Sequence, residues 1–187
     1  MFAGSVILQH EKSAFQAVIN NWCGTGKQSW RLMYRASTHG YSAHAFHSHC
    51  DGVSPVLLLV QVSRGGVVGG YCEAAWGASG YAAAERGFLF SLAPPANDPQ
   101  AAPTAPTAPT ASQPVIYPLQ KKSFALCSHP DFGPIFGAGA DLLISSHCNT
   151  NSDSYSNLHS YGDSGSPQLT PHYNFTVRDY ELYTVHN

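Results

Sequence analysis

The sequence predicts a mainly β protein, a two-sheet antiparallel β-sandwich decorated by a few short α-helices. Short apolar or alternating runs recur along the 187 residues, a pattern typical of strands. Seventeen glycines and thirteen prolines supply turns between these runs. No repeat of about 20–50 residues is visible, which excludes solenoids and propellers. Strands with few helices and frequent turns favour two packed sheets.

Two helices are predicted in the first fifty residues. Residues 13–22 place apolar side chains at helical spacing behind Ser13, a possible N-cap. A second short helix is predicted over Ala43–Cys50, with Ser42 as its cap and Gly52 as its C-terminal stop.

The strands begin with the buried run Val56–Val62, followed by a turn at residues 64–66 and a returning strand at residues 67–73. The pair Gly69-Gly70 inside the returning strand indicates a bulge or a close backbone approach. Further strands are predicted at residues 88–92, 123–127 and 142–145, and a last one within residues 175–183. In this last strand the alternation of apolar and polar residues is interrupted at Tyr180, which indicates a bulge there.

Residues 93–114 form a segment unlike the rest, with seven of the thirteen prolines and no aromatic residue. Such a composition buries too little apolar surface to offset its ordering entropy, so it predicts a disordered, partly polyproline-II insertion. The insertion is either a plain surface loop, which we favour, or a ligand for a proline-binding module. We therefore expect one domain over residues 1–187.

Charged residues make up only 11% of the chain, against about 25% in a typical soluble domain. The net charge of -2 provides no basic surface, so we expect no nucleic-acid partner.

The longest apolar run is far shorter than the ~20 residues of a membrane-spanning helix. Residues 1–8 lack the positive charge of a signal peptide. Five widely spaced cysteines without a Cys-x-x-Cys pair indicate reduced thiols. These features predict a monomeric cytoplasmic protein.

A candidate nucleophile lies in the string Gly162-Asp163-Ser164-Gly165-Ser166-Pro167, which resembles the nucleophile loop of chymotrypsin-type serine proteases. His49 and Asp98 satisfy the histidine, aspartate, serine order of that triad. Asp98, however, lies in the proline-rich segment, where it cannot be buried against an imidazole. A serine hydrolase using Ser164 is therefore kept only as an alternative.

The histidines and cysteines suggest two other chemistries. His44, His47 and His49 with Cys50 are residue types that bind zinc, but no second ligand pair of matching spacing accompanies them. Cys50, next to His49, could act as a peroxide scavenger if a neighbour lowered its pKa. We expect buried structural thiols, no metal, no cofactor and no catalytic residue, so the chain is not predicted to be an enzyme.

Short aromatic and glycine motifs follow one another from residue 30 to residue 183. They include Trp30-Arg31-Leu32-Met33-Tyr34, Gly40-Tyr41-Ser42-Ala43, Val67-Val68-Gly69-Gly70-Tyr71, Gly87-Phe88-Leu89-Phe90, Gly133-Pro134-Ile135-Phe136-Gly137, Asp141-Leu142, Phe175-Thr176-Val177 and Glu181-Leu182-Tyr183. In this order they resemble the TLDc domain of the oxidation-resistance protein family. Two features depart from the family pattern: the insertion at residues 93–114 is longer than usual, and His39 precedes Gly40.

The resemblance implies a β-sandwich and a non-catalytic protein-interaction module. It also implies a role in resistance to oxidative stress and binding to the vacuolar proton-pumping ATPase (V-ATPase), which such modules regulate. The family has no established catalytic residues. The candidate positions are therefore motif residues with a structural or contact role, namely Gly69, Gly70, Tyr71, Glu73, Phe136, Gly137, Asp141 and Glu181. For the three acids, a buried hydrogen-bonding role is favoured over a contact with a partner.

Overall fold

The computed structural model describes residues 2, 4–8, 12–24, 29–63, 66–77, 79–92 and 114–186. Over these residues the helices are α1 (Lys12–Trp22), α2 (Ala36–His39) and α3 (Ala43–Cys50), with a 3₁₀ turn at Lys122–Phe124. The strands are β1 (Ser29–Arg35), β2 (Val56–Val62), β3 (Val67–Cys72), β4 (Gly80–Ala82), β5 (Gly87–Leu92), β6 (Val115–Pro118), β7 (Leu126–Ser128), β8 (Phe132–Phe136), β9 (Leu142–Ser145), β10 (Ser154–Tyr155), β11 (Asn174–Phe175) and β12 (Val177–His186).

These strands form two antiparallel sheets, which confirms the predicted β-sandwich. Sheet A has the order β1-β12-β2-β3-β5-β6, and sheet B has the order β11-β10-β9-β8-β7-β4. The main core lies between them, where Leu58 and Val60 of sheet A share a buried cluster with Phe136 and Ile144 of sheet B.

Sheet A is also covered on its outer face by α1 and by the N-terminal segment, defined here as residues 2 and 4–8. Leu57 and Leu59 point into this second cluster with Ile19, Trp30 and Phe90. Because both faces of β2 are buried, its sequence is a continuous apolar run rather than an alternating one.

Several predicted elements are confirmed to the residue. Strands β2 and β9 and helix α3 have the predicted bounds. The Oγ atom of Ser42 accepts a hydrogen bond from the Ala45 amide at 3.1 Å, as an N-cap does. Helix α1 begins at Lys12, so Ser13 lies inside the first turn rather than at the cap.

The glycine pair in β3 marks a close approach and not a bulge. Pairing between β2 and β3 runs without a shift from Val56 opposite Cys72 to Gln61 opposite Val67. A Cβ atom on Gly69 would lie 2.1 Å from the Leu58 carbonyl oxygen. One on Gly70 would lie 2.7 Å from the Phe136 ring, so the opposite sheet packs directly on the backbone here.

Two sequence predictions are wrong in detail. Residues 122–124 form a 3₁₀ turn, and β7 begins only at Leu126, because this stretch carries the chain from sheet A to sheet B. The irregularity in β12 lies between Val177 and Asp179, before Tyr180, and β1 has a register shift of its own between Leu32 and Tyr34.

Two further predictions concern residues that the structure does not describe. Nearly all of the proline-rich segment, residues 93–113, lies outside them, as do residues 64–65 of the predicted turn. Among the helices that are described, none has the length and apolar character needed to cross a membrane.

Candidate functional site

Asp141 precedes β9 and is fully buried. Its Oδ1 atom accepts hydrogen bonds from three consecutive amides, those of His159 and Ser160 at 2.6 Å and that of Tyr161 at 2.8 Å. Burial raises the pKa of this carboxyl, although the three amides act in the opposite direction. The carboxylate therefore fastens the segment around residue 160 to the start of β9.

The neighbour Gly137 is required by this arrangement. Its φ of 81° lies in the left-handed region, and a Cβ atom there would lie 1.9 Å from the Asp141 Oδ2 atom. Within the described residues, Oδ2 has no hydrogen-bond partner. Gly137 and Asp141 thus form one buried unit, and Phe136, immediately before them, fills the core against Trp76 at a ring separation of 5.4 Å.

Glu181 is the corresponding buried acid of sheet A. Four groups donate hydrogen bonds to its carboxylate: Ser5 Oγ at 2.7 Å, the Val6 amide at 2.8 Å, Arg35 Nε at 2.9 Å and Tyr183 Oη at 2.7 Å. A buried charge with this many donors is well compensated. Glu181 thereby joins the N-terminal segment, β1 and β12.

The remaining candidate positions divide between core and surface. Tyr71 is buried and stacks on Phe88 with a ring separation of 5.3 Å. Glu73 is half-buried and lies 3.3 Å from Arg86 in a solvent-accessible ion pair, which contributes little to stability. The structure therefore brings Phe136, Gly137 and Asp141 together, but it places Glu73 and Glu181 in separate surroundings.

Ser164 is exposed in a tight turn. The Ser166 amide donates to the Asp163 carbonyl at 2.9 Å, and Asp163 also accepts a hydrogen bond from the Gln120 side chain. None of the hydrogen bonds between described residues joins Ser164 to a histidine. Asp98 lies outside the described residues, so the described part of the chain assembles no triad around Ser164.

The histidines of α3 have partners other than a metal ion. His47 Nδ1 lies 2.8 Å from the Asp51 carboxylate, and its Nε2 lies 3.0 Å from the Phe132 carbonyl oxygen. The His49 ring packs beside His39 at 4.7 Å. Across the described ranges, no group of three or more histidine, cysteine or acidic side chains could hold a metal ion.

The thiols are unpaired, and four of the five are buried. Burial raises the pKa of Cys72 to about 11 and the pKa values of Cys23 and Cys148 to about 12. Burial also raises the pKa of Cys50, and the nearby Asp51 carboxylate raises it further. Because the thiolate is the reactive form, these four groups are held in an unreactive state.

The structure also contains an exposed aromatic pair that the sequence did not predict. The rings of Tyr81 in β4 and Phe124 in the 3₁₀ turn meet edge to face with centroids 5.0 Å apart. Their exposed fractions are 54% and 38%. Beside them Lys122 pairs with Glu85. In the sequence, the lone tyrosine among the small residues at 79–82 is the one indication of this pair. Phe124 gave no such indication, because it lies within the predicted strand over residues 123–127.

The two antiparallel sheets define the protein as a β-sandwich domain. Comparison with known proteins identifies its family. The TLDc domain model matches residues 1–186, so the chain belongs to the TLDc domain family. The chain is also similar to the mTOR-associated protein MEAK7 of Mus musculus, with 35% identity over 69 residues. That alignment covers 36% of this chain and 15% of the mouse protein.

Proposed function

We propose that this chain is a non-catalytic protein-interaction module that acts in the cytoplasm in resistance to oxidative stress. Its partner is the vacuolar proton-pumping ATPase, which it binds and regulates. The resemblance of its motifs to the oxidation-resistance proteins supports this partner. The name of the mouse relative, an mTOR-associated protein, supports a protein partner as the general class.

The observation that carries this proposal is the aromatic edge, defined here as Tyr81 and Phe124. Its rings contact each other and are exposed, although aromatic side chains in this chain are otherwise mostly buried. Strand β4 is an edge strand of sheet B, paired only with β7 among the described strands. Exposed aromatic side chains are enriched at interfaces, and an edge strand presents backbone groups that a partner can pair with.

The chemistry of the other candidates supports binding rather than catalysis. Asp141 and Glu181 are occupied by structural hydrogen bonds. Cys50 is buried with its pKa raised, which disfavours the thiolate that peroxide scavenging requires. Ser164 lacks a described basic partner that could activate it. Asp141 and Glu181 stabilise the fold, and the aromatic edge is available for recognition.

The test is recovery of V-ATPase subunits on the immobilised chain. We expect the wild type to capture them and the double variant Tyr81→Ala/Phe124→Ala to capture at least tenfold less, because truncating interface aromatics removes the largest contacts. Tyr173→Ala is the matched control, since Tyr173 is 55% exposed and Tyr81 54%. Cells that express the wild type or one of these variants are then treated with peroxide, and their survival is compared.

Two outcomes test the proposed contact surface and the proposed partner separately. Equal capture by the double variant and the wild type would show that the aromatic edge is not the contact surface. Repeated absence of pump subunits from the wild-type sample, with the protein folded, would remove the proposed partner.

A further inference from the structure

A second surface feature lies far along the chain from the aromatic edge, in the segment from residue 156 to residue 176. Two cavities of about 220 Å³ each open side by side there and share His172. The first is lined mainly by polar residues, among them Asn157, Gln168 and Thr170. The second continues past His172 towards Phe175.

The main chain of the first cavity is fixed by hydrogen bonds. The Asn157 amide donates to the Asp141 carbonyl oxygen at 3.3 Å, and Tyr117 Oη donates to the Gln168 carbonyl oxygen at 3.1 Å. Thr170 Oγ1 donates to the His172 carbonyl oxygen at 2.7 Å. Asn157, Gln168 and His172 are thus held through their backbones. Among the described residues their side chains have no hydrogen-bond partner, so they are available to bind a ligand.

Tyr173 lines this cavity and has an aromatic partner. It stacks on Tyr155 with centroids 5.3 Å apart and an angle of 7° between the planes. The Ser156 amide also donates to the Tyr173 carbonyl oxygen at 3.1 Å. Tyr173 is nevertheless 55% exposed. A ring that is ordered on one face and open on the other is a platform on which a flat ligand face can stack.

The lining favours neutral ligands. Neither cavity contains an aspartate, glutamate, lysine or arginine among its lining residues, so no permanently charged side chain would compensate a phosphate, a carboxylate or an ammonium. Amide, hydroxyl and imidazole groups around an aromatic platform suit a neutral ligand with many hydroxyl groups and one apolar face. We propose that the first cavity binds one ring of a neutral saccharide, stacked on Tyr173 and hydrogen bonded by Asn157, Gln168 and His172.

The experiment is a titration of the ¹⁵N-labelled chain with the neutral disaccharides maltose, cellobiose and N,N′-diacetylchitobiose. We expect at least one of them to shift the amide signals of the non-proline residues within 156–158 and 166–173. Tyr173→Ala should weaken that binding at least tenfold. Tyr81→Ala should leave it unchanged, because Tyr81 is an equally exposed tyrosine outside the cavity.

Two results would overturn the inference. One is the absence of any saturable shift with all three disaccharides while the chain gives the spectrum of a folded protein. The other is a saccharide affinity in Tyr173→Ala equal to that of the wild type. Adenosine, a neutral ligand with a larger aromatic face, is titrated in parallel, and its binding to this cavity in place of the saccharides would contradict the saccharide assignment. Thermal unfolding of each variant separates loss of binding from loss of fold.

Discussion

Asp141 shows how one buried side chain can organise a long connection. Its Oδ1 atom accepts from three successive amides nearly twenty positions away in the chain. Amides that lose their acceptor inside a protein cost free energy, since water cannot replace it. Three consecutive amides of the loop that follows β10 therefore depend on this one oxygen atom as their acceptor.

We expect Asp141→Ala to lower the free energy of unfolding by about 3 kcal/mol, because it leaves three amides without their acceptor. Asp141→Asn keeps an oxygen at the position of Oδ1 and should cost less than half as much. Urea denaturation of the two variants measures the difference. Equal losses would show that the amides find other acceptors and that Oδ1 has no special role.

Asp141 also makes the stability of the folded protein depend on pH. Burial raises the pKa of the Asp141 carboxyl above its value in the unfolded chain, so the folded state binds this proton more tightly. Its contribution to stability is thus fully present at low pH and is lost as the pH rises through the folded-state pKa. As the pH rises above about 4, the ordinary pKa of an aspartate, the wild type should lose stability relative to Asp141→Asn, as measured by denaturation at several pH values. A difference that stays constant with pH would contradict this expectation.

At the scale of elements, Glu181 connects parts of the chain that are distant in sequence. Ser5 and Val6 donate to it across more than 170 positions, and Arg35 of β1 donates to it from the neighbouring strand. Leu8, which follows in the same segment, is buried under the outer face of sheet A. The carboxylate therefore fixes how the N-terminal segment covers that face.

Glu181→Ala should destabilise the fold by about 3–5 kcal/mol, since it leaves a partly buried arginine and three other donors unpaired. It should also speed hydrogen exchange of the Val6 amide, a direct readout of the released segment. Glu85→Ala is the control, because the 80% exposed Glu85 pairs with Lys122 at the surface. Its cost should stay below about 0.5 kcal/mol. A similar cost for both variants would contradict the role of Glu181.

Elements with strong local signals were predictable, and those defined by distant contacts were not. Helix α3 has a capping serine before it and a glycine after it, and β2 is an uninterrupted apolar run, so both were located correctly. Residues 122–124 carry no such signal, and their 3₁₀ turn follows from the crossing between sheets. Buried roles for Asp141 and Glu181 could be anticipated from the scarcity of charge, but partners such as Ser5 could not, because periodicity does not report pairing across the fold.

At the scale of the whole molecule, the low content of charge accompanies extensive burial of both faces of sheet A. Four thiols lie within this buried volume, and Cys127 is half-buried on sheet B. The fold therefore protects four of its five cysteines by burial.

In native protein we expect an aromatic disulfide reagent to modify one thiol, Cys127, and in denaturant to modify all five. Cys127→Ala should remove the native reaction. Mild peroxide treatment should likewise leave Cys50 free of sulfenic acid until the protein unfolds. Rapid modification of Cys50 in the native protein would instead favour the peroxide-scavenging alternative.

The position of β12 has a consequence for biosynthesis. It lies between β1 and β2 and pairs with both, although it is the last of the described strands. During translation, β1 and β2 therefore leave the ribosome long before the strand that separates them. Since non-local strand pairing is slow, the nascent chain exposes their unpaired edges until β12 has been synthesised. Protection by a chaperone would matter most in that interval, and deletion of β12 would leave these edges without their partner strand.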